Sequence, residues 1–167
     1  NRKLTLSDNF HLNFWQQPYA VSRYYGVAPW SQVHLDILRP YMQLLARAGQ
    51  RNASAILFYE PWGVQSNDKF DAMIETTRKA DGTAFDRWIS FLDSYGINGD
   101  INCFSMVPWD MTFTYYDEAS KSYKELKTTT NSKEYSDLWI PFLRSFAAHQ
   151  KEKGWFDRTV IAMDEGS

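Results

Sequence analysis

The chain reads as an α/β protein, the N-terminal half of a (β/α)8 TIM-type barrel whose parallel strands are joined by crossover helices. Three observations predict this. Short apolar runs alternate with segments of helical periodicity in the order β-α-β-α-β-α-β. Connections from helix to strand are short, whereas those from strand to helix are long and crowded with Trp, Tyr and Pro. Four strands occupy 167 residues, where a complete eight-stranded barrel takes about 250. Residues 1–167 are therefore expected to be one partial domain, cut after its fourth strand. The competing reading is a small, complete open α/β sheet.

Each element has its own signal. Phe10 to Gln16 alternates apolar and polar residues and predicts the first strand, followed by a loop from Gln17 to Trp30. Ser31 is placed to cap a helix that carries Ile37, Leu38, Tyr41, Leu44, Leu45 and Ala48 at helical spacing and stops at Gly49. Pro40 within it predicts a kink or two shorter pieces. Ala53 to Tyr59 is a continuous apolar run, expected of a strand buried on both faces. In the long segment Trp62 to Ala84, Asp81-Gly82 suggests a small hairpin turn.

Phe85, Trp88, Ile89, Leu92 and Tyr95 mark the next helix, closed by Gly96, and Ile101 to Phe104 the third strand. Met111, Phe113 and Tyr115 then alternate with polar residues before a hairpin excursion over Asp117 to Ser122. Asn131 with Glu134 fits a capping box ahead of a helix striped by Tyr135, Leu138, Trp139, Phe142, Leu143 and Phe146. Pro141 should kink it before Gly154 ends it. Arg158 to Asp164 is the fourth strand.

Bulk properties exclude several functions. A net charge of −2 and no Lys/Arg cluster give no nucleic-acid footprint. No apolar run reaches a bilayer span, and Asn1-Arg2-Lys3-Leu4 lacks a signal-peptide core, which leaves secretion of a longer precursor open. Cys103 stands alone, so no internal disulfide forms, and it reads more simply as a small buried residue than as a nucleophile. His11, His34 and His149 share no ligand spacing, so no metal is expected. No glycine-rich phosphate turn follows Trp15, Tyr59 or Phe104, and no GxSxG elbow occurs, so no cofactor is expected and a serine hydrolase has no support.

Chemistry is best placed at Val160-Ile161-Ala162-Met163-Asp164-Glu165, an apolar run ending in two carboxylates. Taken alone, the pair reads more simply as Asp164 capping a following helix with Glu165 solvated. The long loops decide for a site, because they share the carboxyl ends of the strands with these acids, and that end is the working face of barrels and open sheets alike. Trp15, Gln16, Tyr59, Trp62, Asn102 and Trp109 are expected near strand ends. Rings for the apolar faces of a sugar, with amides and carboxylates for its hydroxyls, suit a glycan or glycoconjugate substrate.

Asn13-Phe14-Trp15-Gln16-Gln17-Pro18-Tyr19-Ala20, Tyr24-Tyr25-Gly26-Val27, Ile101 to Trp109, Lys153 to Arg158 and Met163-Asp164-Glu165 together resemble glycoside hydrolase family 123, in order and over nearly the whole chain. The resemblance implies a (β/α)8 catalytic barrel, whose remaining strands would be a partner for this piece. It also implies retaining, exo-acting β-N-acetylgalactosaminidase activity assisted by the substrate's own acetamide, one of the exceptions to two-carboxylate chemistry. Glu165 is then the general acid and base, with a pKa that must be raised to hold a proton near neutrality, and Asp164 orients the 2-acetamido group. Alternatives are a noncatalytic carbohydrate-binding relative, a two-carboxylate retaining glycosidase and a protein-interaction domain. A periplasmic or secreted location is expected only from where such enzymes usually act, and the isolated 167-residue piece is expected to be inactive.

Overall fold

A computed structural model describes residues 12–63, 69–74 and 84–163. Its sheet is built from three parallel strands, β1 (Ala53–Ile56), β2 (Ile101–Phe104) and β5 (Thr159–Ile161), adjacent in chain order. The register pairs Ala53 with Ile101 and Cys103 with Ile161. Parallel neighbours require crossovers, and helices α3 (Ala84–Asp93) and α4 (Lys133–Lys153) lie in these two connections. Helices α1 (Pro18–Tyr25) and α2 (Gln32–Ala48) precede β1. An antiparallel hairpin of β3 (Thr112–Asp117) and β4 (Ser122–Lys127) interrupts the path from β2 to α4 where an excursion was expected. The turn expected at Asp81-Gly82 lies outside the described residues.

Helix ends follow the predicted caps with one correction. Ser31 Oγ accepts from the His34 amide at 3.2 Å, and Gly49 closes α2 at φ 105°. At α4 the cap is Ser132, one residue beyond Asn131, because the Ser132 hydroxyl accepts from the Tyr135 amide at 3.0 Å. Both α2 and α4 run unbroken through Pro40 and Pro141. Each ring is exposed, as are Asp36 and Asp137 four residues before, so the carbonyls left without a partner there can turn to water. Helix α1 was not anticipated; Pro18 opens it, and Gly26 at φ 63° ends it with amide bonds from Gly26 to Arg23 O and Val27 to Ser22 O.

The expected first strand is the larger correction. Of its described residues, Leu12 makes an isolated parallel bridge to Gln50, and residues 13–17 carry no ladder. Two glutamine side chains do the ladder's work instead. Phe14 N donates to Gln50 Oε1 at 2.9 Å, Gln50 Nε2 donates to Asn52 O at 2.6 Å, and Ser54 N donates to Gln16 Oε1 at 2.8 Å. A side-chain amide carries the same donor and acceptor as a peptide, so it can satisfy a strand edge without a strand. β1 and β5 are also shorter than their apolar runs. Ile56 O accepts from Met73 N at 2.8 Å as the chain bends away, and β5 gains one further bond, from Ala162 N to Cys103 O at 2.9 Å.

Strand alternation divides the sheet into two faces. Ala53, Ala55, Ile101, Cys103 and Ile161 join the main core with Phe85, Trp88, Ile89 and Leu92 of α3 and Trp139 and Phe146 of α4. Trp88 Nε1 donates to Ser54 O at 2.9 Å, and Asp86 ties α3 to α4 through His149 Nε2 at 2.7 Å and Lys153 Nζ at 2.9 Å. The opposite, inner face carries Ser54, Asn102 and Val160 in one layer and Ile56, Phe104 and Ala162 in the next. Val160 is 42% exposed there. Among the described residues, no helix is long and apolar enough to cross a membrane.

Candidate active site

The upper inner layer sits where the strands end, and a set of rings closes over it. Ile56, Trp62 and Phe104 are buried together, with Phe70 and Ala162 packed against them. Phe70 meets Trp62 edge-on at 4.6 Å, and Trp15 stacks on Trp62 at 4.9 Å with planes 24° apart. Trp15 also leans on Phe104 at 4.9 Å. Each such pair contributes about 0.5–1.5 kcal/mol beyond burial, enough to hold an indole in a fixed attitude. Trp62 is 4% exposed and Trp15 45%, so Trp62 is the backing and Trp15 the ring that presents surface to solvent.

The other candidates separate along the same lines. Trp109 is 45% exposed, and its amide donates to Pro61 O at 2.8 Å, joining the chain that leaves β2 to the loop that carries Trp62. Tyr59 is half-buried just past β1. Gln16 is buried and its amide is bonded to main-chain groups: Nε2 donates to Phe14 O, and Oε1 holds Ser54 N. Asn102 lies not at a strand end but at the second position of β2, one inner layer below Phe104. Asp164 and Glu165 lie outside the described residues, immediately after Met163.

Some participants had no clear signal in the sequence. Phe104 was legible only as a strand residue, although alternation from Asn102 puts it on the inner face. Phe70 sits in a stretch without periodicity. Glu60 holds Phe70 by two bonds, Phe70 N to Glu60 Oε1 and Glu60 N to Phe70 O, both 2.9 Å. Glu60 (φ 48°), Ser105 (φ 106°) and Met111 (φ 52°) all adopt the left-handed region in the segments leaving β1 and β2. Such strain tends to gather at working sites, where surrounding bonds enforce it. Ser105 illustrates the enforcement: its hydroxyl accepts from Phe58 N and donates to Phe58 O, each at 3.1 Å, tying the two chain exits together.

Electrostatics narrow the chemistry. Complete burial pushes the Cys103 thiol far up, so no thiolate nucleophile is available from it. Among the described residues, no three His, Cys, Asp or Glu side chains come together as a metal cluster would require. The arrangement offers a rigid aromatic surface against which the apolar face of a ligand can pack.

The comparisons agree on one family. The model of the glycoside hydrolase 123 catalytic domain matches residues 15–167. A solved family 123 glycoside hydrolase from Clostridium perfringens, whose structural analysis addressed glycolipid glycan hydrolysis, superposes with a TM-score of 0.87 at 34% identity. The match covers 94% of this chain and 30% of that one, so the chain spans about a third of its length. No curated protein matches the chain.

Proposed function

The chain belongs to glycoside hydrolase family 123, and from that premise we propose that it contributes the catalytic acids and one aromatic wall of an enzyme that removes terminal β-linked N-acetylgalactosamine, or a related 2-acetamido sugar, from a glycan or glycoconjugate. The observation that carries the reading is the half-exposed Trp15, stacked on Trp62 and leaning on Phe104 of the cluster against which Ala162 also packs. Asp164 follows Ala162 by two residues in the chain.

In this reading the sugar's apolar face packs on Trp15, with Trp109 and Tyr59 at the flank. Asp164 accepts from the acetamide N–H and steadies the group as its carbonyl oxygen attacks the anomeric carbon. The bond to the aglycone oxygen breaks as Glu165 donates its proton there, leaving an oxazolinium ion. Water then attacks the anomeric carbon while Glu165 takes a proton from it, the bond from that carbon to the acetamide oxygen breaks to restore the 2-acetamido group, and two inversions give net retention. Further strands beyond this chain complete the barrel, and an extracytoplasmic setting fits a glycan substrate.

The test is release of phenol from an aryl β-N-acetylgalactosaminide by the full-length protein, with a thiazoline mimic of the oxazolinium as inhibitor. Turnover blocked by the thiazoline is expected. Trapping by a 2-fluoro glycoside would instead favour an enzyme nucleophile, and binding without turnover a noncatalytic carbohydrate-binding role. Hydrolysis by the isolated 167-residue piece would refute the need for further strands.

A further inference from the structure

We infer that α1 is a positioning device that sets the spacing of the Trp15–Trp62 stack, with Arg23 as its principal positioning residue. The geometry stands by itself, and its catalytic consequence rests on the sugar-binding reading above. The two indoles reach the stack by separate routes. Trp15 precedes the first residue of α1 by three positions, whereas Trp62 is held by the ring of Phe70, edge-on at 4.6 Å. The segment 69–72 that carries Phe70 is in turn bonded to α1.

Arg23 brackets Phe70: its Nη2 donates to Lys69 O on one side and its Nη1 pairs with the Asp71 carboxylate on the other. Gln17 Nε2 donates to Lys69 O at 3.1 Å and Tyr19 OH to Ala72 O at 3.2 Å. The helix is braced from behind, where Trp30 Nε1 donates to Tyr19 OH at 3.2 Å and His34 Nε2 lies 2.9 Å from Pro18 O. One element thus fixes both sides of the stack, one through the chain and the other through three hydrogen-bonding side chains and a ring.

Arg23 and Asp71 are each 35% exposed, so screened attraction between them is a minor factor. What the guanidinium supplies is a planar fork that satisfies two acceptors flanking one aromatic residue. A lysine presents its donors from a single point and lacks that fork.

The experiment compares wild type, Arg23→Ala, Arg23→Lys and Trp15→Phe in the full-length protein by near-UV circular dichroism and by aryl glycoside kinetics. Trp15→Phe identifies the exciton signal of the stacked indoles. Arg23→Ala is expected to lose that signal with far-UV helix content kept, and to raise KM on the order of tenfold with kcat within about twofold. Arg23→Lys should fall between. An unchanged exciton signal and KM in Arg23→Ala would overturn the inference, and so would a loss of kcat alone, which a merely structural role predicts. If wild type released no phenol, the functional reading would fail, yet the exciton comparison would still decide whether Arg23 positions the stack.

Discussion

The two ends of the sheet are built to different rules. At the amino ends of the strands, connections are short and bonded main chain to main chain: Gly99 N donates to Arg51 O at 2.7 Å, and Ala53 N to Asp100 O at 2.8 Å. Arg158 closes this end with two bonds to the Asp93 carboxylate, at 2.8 and 2.6 Å. At the carboxyl ends the chain wanders, Glu60, Ser105 and Met111 take left-handed backbone, and contacts run through rings and through the side chains of Glu60 and Ser105. One end specifies the fold. The other holds side chains where packing alone would not leave them, which is where binding and chemistry can be afforded.

The sharpest way to test that division is at the acids. Glu165→Gln should cut hydrolysis by the full-length protein about 10²–10⁴-fold with little change in melting temperature; equal losses in both would erase the distinction between ends. Next comes the helix-facing side. Trp88 is fully buried, and Trp88→Ala should cost about 3–5 kcal/mol in denaturant unfolding, with KM unchanged in whatever fraction remains folded. Gly99→Ala should cost about 1–3 kcal/mol, because a Cβ there would stand 2.8 Å from Asn52 Oδ1 and 3.0 Å from Arg51 O.

Two pH effects sharpen the contrast further. Burial holds the His34 pKa below its usual value, while the bond to Pro18 O opposes this. Its Nδ1 accepts from Trp30 N at 3.0 Å, so the folded state favours the neutral ring. A depressed folded pKa on a base means that the stabilisation is complete above the unfolded pKa, about 6.5, and is lost as pH falls through that value toward the folded one. Melting temperature should therefore drop between pH 7 and 5, and His34→Gln should flatten the drop. The smallest effect lies in the hairpin turn. The Lys124 ammonium, and next the Ser120 hydroxyl, lower Asp117 to about 2, so its contribution is present above the ordinary carboxylate pKa and is lost only as pH falls toward 2. NMR titration of the Asp117 carboxyl should show that midpoint with no change elsewhere in the sheet.

Much of the fold was legible because its signals are local. Ser31, Gly49 and Gly154 marked helix ends through bonds made within four residues, and the runs at Ala53 and Ile101 announced buried strands. The same locality explains α1, whose Pro18 and Gly26 frame a helix that eight loop-like residues disguised. The site was less legible. Trp15, Trp62 and Trp109 are alike in sequence, yet one is backing and two present surface. Gln16 looked like a sugar ligand and stands in for a peptide group of the missing ladder.

The sequence by itself determined much of the alternation of strand and helix and the parallel sheet that follows from it, because hydrophobic periods and caps act over a few residues, and its ordered motifs carried the resemblance to the family. Only the tertiary structure decided which indole faces solvent, that two glutamines replace a strand edge, and that Arg23 grips both sides of Phe70. Those outcomes depend on segments 36 to 48 positions apart meeting in space, and no local period records which segments will meet.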